Sequence, residues 1–116
     1  MTPKTSDIGE APDHVVLHRP WTYEIAELHF VNGSEDHGPP SLDLVLRKEE
    51  VVHRLRFEGV RGFRLGKHFE CDYIGLEILD ISSRGWEGLN VWVGSYEGDY
   101  IEFWSRAVTL LNPSAV

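Results

Sequence analysis

LNVWVGSYEGDYIEFWSRAVTLL, residues Leu89–Leu111, decides the fold. Two alternating runs, Leu89–Tyr96 and Tyr100–Leu111, flank the short turn Glu97-Gly98-Asp99. A period of two on both sides of a glycine-containing turn predicts a β-hairpin. On the first run Leu89, Val91 and Val93 share one side, and Asn90, Trp92 and Tyr96 share the other. On the second, Ile101 and Phe103 oppose Tyr100, Glu102, Trp104 and Arg106. With the aliphatic side turned inward, Trp92, Tyr96, Tyr100 and Trp104 fall on the opposite face, amid carboxylates. Large aromatics rimmed by charge have the make-up of an interaction surface. The competing arrangement packs this face beneath the N-terminal segment or a second sheet.

Upstream the same period recurs. Leu42–Arg47 places Leu42, Leu44 and Leu46 on one face, and Val51–Glu58 does the same with Val51, His53, Leu55 and Phe57. Lys48-Glu49-Glu50 joins these two as a turn. Val60–Leu65 follows a break at Gly59, and Gly62 marks a bulge or a close approach. Ile74–Ser82 alternates with apolar residues on both parities, as a strand covered on both sides does. Trp21–Val31 alternates with one slip at Ala26–Glu27, which a β-bulge explains. A helix over Glu24–Phe30 competes there, and the aromatic and β-branched content favours the strand. His14–His18 reads as a strand or an irregular lead-in before Pro20. Asn32–Ser41 and Lys67–Tyr73 read as loops. The expectation is an all-β domain, with at most one short helix. It has seven to eight mainly antiparallel strands in a sandwich or curled half-barrel. Residues 1–13 read as a flexible tail and 14–116 as one β domain.

At 116 residues with a single cysteine, Cys71, the chain is one domain without a disulfide framework or a multi-cysteine metal site. Apolar runs are too short to span a membrane, and the first residues lack a secretory signal, so a reduced cytoplasmic setting is expected. A net charge of −8 disfavours nucleic acid and favours basic partners. The charge is segregated. Residues 47–67 hold seven bases against three acids, and residues 68–102 hold eight acids against Arg84 alone. Either the basic hairpin neutralises acidic neighbours across a sheet, or the molecule presents one strongly acidic face.

Chemistry-bearing patterns are sparse. Of the six histidines (His14, His18, His29, His37, His53, His68), His14 and His18 would lie roughly 13 Å apart along a strand, too far to share a zinc ion. His53 shares parity with Leu55 and Phe57 and reads as a hydrogen-bonded core-edge residue. Glu70 and Asp72 flank Cys71 and disfavour its thiolate. Nucleophile-elbow and phosphate-loop motifs are missing, and the carboxylate pairs fall in turns. No catalytic residue, metal or cofactor is expected.

Leu55–Leu65 (LRFEGVRGFRL), followed by Gly75-Leu76-Glu77-Ile78, resembles the immunity protein fifty family of bacterial polymorphic toxin systems. Trp21–Phe30 and Leu42–Arg47 are compatible with that family's opening strands, and the similarity spans roughly residues 20–110. The resemblance implies a non-catalytic protein that neutralises a cognate toxin by occlusion or allosteric locking. A nuclease toxin, basic because it binds nucleic acid, suits an acidic inhibitor. The expected docking surface has Trp92, Tyr96, Tyr100 and Trp104 as anchors, and Glu77, Asp80, Glu87, Glu97, Asp99 and Glu102 opposite basic groups. A homodimer closing on this face, a small-molecule-binding barrel or sandwich, and an enzyme with a cleft remain the other possibilities.

Overall fold

The computed structural model describes residues 11–36, 38–67, 69, 73–95 and 100–112. Among them are eight strands and two single-turn 3₁₀ segments, Pro20–Thr22 and Ser82–Arg84, with no α-helix. The strands are β1 (Glu24–Val31), β2 (Ser41–Lys48), β3 (Val51–Glu58), β4 (Arg61–Leu65), β5 (Leu76–Asp80), β6 (Val91–Ser95), β7 (Ile101–Ser105) and β8 (Ala107–Leu110). Every pairing is antiparallel. One sheet has the order β1-β2-β3-β8 and the other β4-β7-β6-β5.

The alternation read from the sequence fixes which side chains meet. Ile25, Leu42, Leu44, Leu46, Leu55 and Phe57 face inward from the first sheet, and Leu76, Ile78, Val91, Val93, Ile101 and Phe103 from the second. Across the interior Phe57 meets Phe103 edge-to-face, with centroids 4.9 Å apart. Each such fully buried apolar side chain contributes about 1.5–3 kcal/mol of transfer free energy. The β1–β2 register slips between Ile25 and Glu27, the bulge expected from the Ala26–Glu27 irregularity. The β4–β7 register slips between Arg61 and Arg64, around Gly62 at φ 63°.

Of the two readings of His14–His18, the structure shows the irregular lead-in. Other elements differ from the sequence reading. Ile74–Ser82 contributes only Leu76–Asp80, because Ser82–Arg84 turns away. Tyr100–Leu111 is not one strand. It breaks at Arg106, with β7 in one sheet and β8 in the other. At the same place the chain passes from β3 to β4 through Gly59 and Val60, so both strand pairs turn one corner together. Arg106 N–H donates to Glu58 O at 2.9 Å. Gly59 has φ 68°, and a Cβ there would sit 3.0 Å from that of Arg106. Both the backbone angle and the crowding require glycine at this corner.

The segregated charge is resolved within the sheets. Arg47 pairs with Glu24 at 2.6 Å, Arg56 with Asp43 through two bonds of 2.9 Å, and Arg64 with Glu102 at 3.1 Å. Arg106 faces Glu58 at 3.7 Å. The first three are cross-strand neighbours by register, so the basic segment does neutralise acidic strands. The exposed pairs contribute little stability each, about 0–1 kcal/mol.

Candidate functional site: the tryptophan layer and the edge of β5

The outer face of the β4-β7-β6-β5 sheet carries two rows of residues fixed by strand register. One runs Leu79, Trp92, Trp104, Arg61 and the other Glu77, Gly94, Glu102, Arg64. Parity alone placed Trp92, Glu102 and Trp104 on a common face, and the register adds Glu77 to it. Their exposure is a different matter.

Trp92 is 6% exposed and Trp104 4%, so the expectation that these rings point outward is overturned. With Leu79, Ile81 and Leu89 they form a second apolar cluster, packed under Ala11 and Trp86. The cover comes from both sides. The loop after β5 brings Trp86 and Leu89 back over the sheet, with Gly88 close to the Arg61 guanidinium. From the N-terminal side, the segment Ala11–His14 lies along the β5 edge. His14 N–H donates to Ile78 O at 2.9 Å, and Asp80 N–H donates to Pro12 O at 2.8 Å. Asp13 pairs opposite Leu79 and so extends the first row. Ala11–Asp13, expected to belong to the tail, are thus part of the fold. Their signal in the sequence is faint, because Pro12 and Asp13 have turn composition.

Trp92 is fixed on three sides. Its six-membered ring lies over Gly94, so closely that a Cβ on Gly94 would come within 2.1 Å of the ring. Its Nε1–H donates to Glu102 Oε2 at 3.0 Å. Glu102, 6% exposed, is held by Arg64 through its other oxygen. Glu102 is therefore an internal acceptor, not the free carboxylate expected at the docking surface. Trp104 Nε1–H is buried and has no hydrogen-bond partner among the described residues, a condition that costs roughly 1–3 kcal/mol in a protein interior.

The remaining candidates scatter. Tyr100 is half-buried and stacks on Tyr73 with centroids 4.3 Å apart, so it is no outward anchor. Asp80 accepts from Ser82 N–H at 2.9 Å and Ser82 Oγ–H at 2.6 Å, bonds that hold its carboxyl below the usual carboxylate range. It caps a turn instead of awaiting a cation. Glu87 is exposed in the covering loop. Tyr96, Glu97 and Asp99, together with Cys71, His37 and His68, lie outside the described residues. Sequence reasoning missed Ser95, whose Oγ accepts from Tyr100 N–H and Ile101 N–H at 3.0 and 2.8 Å and closes the hairpin. It also missed Gly94, although a glycine inside a strand is a recognised sign of close approach.

Glu77 forms no ion pair among the described residues. It sits half-buried beside Asp13, and burial first, then that neighbouring charge, pushes its carboxyl above the usual range. A raised carboxyl favours the fold when protonated, and that contribution is lost as pH rises through the folded value. When both are ionised, the two acids repel each other at the β5 edge. His14 moves oppositely: burial lowers its imidazole, against the pull of Asp80, and the neutral ring accepts Val16 N–H at 3.0 Å.

His53 stacks edge-on against Tyr23 at 5.4 Å, but its buried Nδ1 makes no hydrogen bond, contrary to expectation. A cavity of about 330 Å³ lies along the N-terminal segment between Asp13 and Trp21, lined by His14, His18 and Arg19, not in the sandwich interior. Among the described residues no three His, Cys, Asp or Glu side chains cluster as metal ligands. Comparison with protein-family models, with curated proteins and with solved structures finds no significant match to this chain.

Proposed function

We propose that the chain is a non-catalytic protein-binding domain, an immunity protein that neutralises a cognate basic toxin in the bacterial cytoplasm. The observation that carries this reading is electrostatic. Cross-strand pairing engages Arg47, Arg56 and Arg64, yet leaves Asp13 and Glu77 as neighbouring charges at a sheet edge, with no ion pair to either among the described residues. This edge is acidic, and the net charge of −8 steers a basic protein toward it. The resemblance of Leu55–Leu65 to an immunity family agrees with this reading. The tryptophans support the edge from beneath and do not themselves anchor the partner in the free protein.

Co-expression with the toxin domain encoded beside the chain's gene tests the proposal. The wild-type chain is expected to protect cells. The double variant Asp13→Lys/Glu77→Lys, checked for folding by circular dichroism, is expected to associate at least about tenfold more slowly at low salt and to protect poorly. A folded double variant that protects as well as the wild type overturns the proposed surface. A neighbouring gene that encodes no toxin, or a toxin domain that the wild-type chain fails to bind, overturns the function.

A further inference from the structure

The segment Ala11–His14 fits its seat poorly at three points, and each poor fit has the same remedy. At Pro12 the ladder is one bond short. Asp80 N–H reaches Pro12 O, but proline has no N–H to return to Asp80 O, as any other residue in that register would. At Asp13 the side chain adds a negative charge beside Glu77. At Ala11 a single methyl packs on the cluster of Leu79, Ile81, Leu89, Trp92 and Trp104, within which the Trp104 N–H is buried without an acceptor among the described residues. Immediately beyond His14 the chain leaves the sheet, and Val15 is 95% exposed.

Building on the reading of this chain as a protein-binding domain, we infer that Ala11–His14 is an exchangeable strap. Its seat, the β5 edge above the tryptophan layer, is where an extended basic segment of the partner inserts as an added strand. The occupant has a Lys or Arg in place of Asp13, a residue with an N–H in place of Pro12, and a larger apolar side chain in place of Ala11. Lys or Arg converts the repulsion at Glu77 into attraction. The restored N–H completes the ladder with Asp80, and the larger side chain adds apolar contact over Trp92 and Trp104. Strand addition also gives the buried tryptophans a part in recognition, because the side chain that replaces Ala11 packs on their cluster.

The test needs no toxin, so its failure is separate from failure of the protection assay. Two synthetic peptides spanning Ala11–Leu17 are titrated into the full chain, one with the native sequence and one with A11L, P12T and D13K. Tryptophan fluorescence reports binding, and amide hydrogen exchange reports where it occurs. The substituted peptide is expected to bind at least about tenfold more tightly than the native one. On binding, the His14 amide of the chain loses protection while the Asp80 amide stays protected. A chain carrying P12T and D13K in its own strap is expected to refuse the peptide. The inference is overturned if the substituted peptide shows no binding at millimolar concentration. It is equally overturned if the peptide binds while the His14 amide remains protected, since the strap has then not moved.

Discussion

Trp92→Ala is expected to lower the free energy of unfolding by about 3–5 kcal/mol in urea denaturation, the range for removing a large buried aromatic side chain. The substitution empties the centre of the second apolar cluster and uncovers Gly94 beneath the ring. It also removes the donor to Glu102, leaving a buried carboxylate with Arg64 on one oxygen and nothing from the indole on the other. A tryptophan held at the surface as a recognition anchor would behave differently, since surface truncations usually change stability by no more than about 0.5 kcal/mol. The size of the effect therefore separates a ring that belongs to the core from one that awaits a partner. Trp92→Phe keeps an aromatic ring in the cluster but loses the N–H and the outer indole atoms that lie over Gly94, so its cost is expected to be smaller than that of Trp92→Ala, about 1–3 kcal/mol.

Gly94→Ala is expected to destabilise by about 1–3 kcal/mol, the usual cost of overpacking a close-packed site. The added methyl would lie 2.1, 2.3 and 2.9 Å from three atoms of the Trp92 ring. The ring is held between Gly94 below and the covering residues above, so it has little room to lift. Its displacement would also draw Nε1 away from Glu102. In a Trp92→Leu background the methyl has a smaller, flexible neighbour, and the Gly94→Ala penalty is expected to shrink. A double-mutant cycle built on these variants should show a coupling above about 1 kcal/mol, as contacting residues do. Additive effects would mean that the ring does not lie on Gly94.

The alternation of Leu42, Leu44 and Leu46, and of Val91 and Val93 against Trp92, was enough to assign strands and inward faces. A period of two leaves little freedom once one face is apolar. The switch of sheets at Arg106 also left a trace. Ile101 and Phe103 are inward on odd positions, while Val108 and Leu110 pack inward on even ones. That change of parity inside Tyr100–Leu111 is the mark of a corner and is easily read as continuation. The cover over Trp92 and Trp104 stood in the sequence only as the competing arrangement, packing beneath the N-terminal segment, because parity tells which face a ring occupies and not what lies on it. Here the cover comes from Ala11, distant in sequence, and from Trp86 in a loop with no periodicity. The ion pairs were equally hidden, since Arg56 meets Asp43 and Arg64 meets Glu102 only after the register is known.

Hydrogen exchange of the four indole N–H groups in the full chain, followed by NMR, tests the buried tryptophan layer most directly. The Trp92 and Trp104 signals are expected to exchange at least about tenfold more slowly than that of half-exposed Trp21, as groups in a cooperatively protected core do. Trp92 and Trp104 exchanging as fast as Trp21 would contradict it, for the rings would then stand open to water with no strap and no second cluster above them.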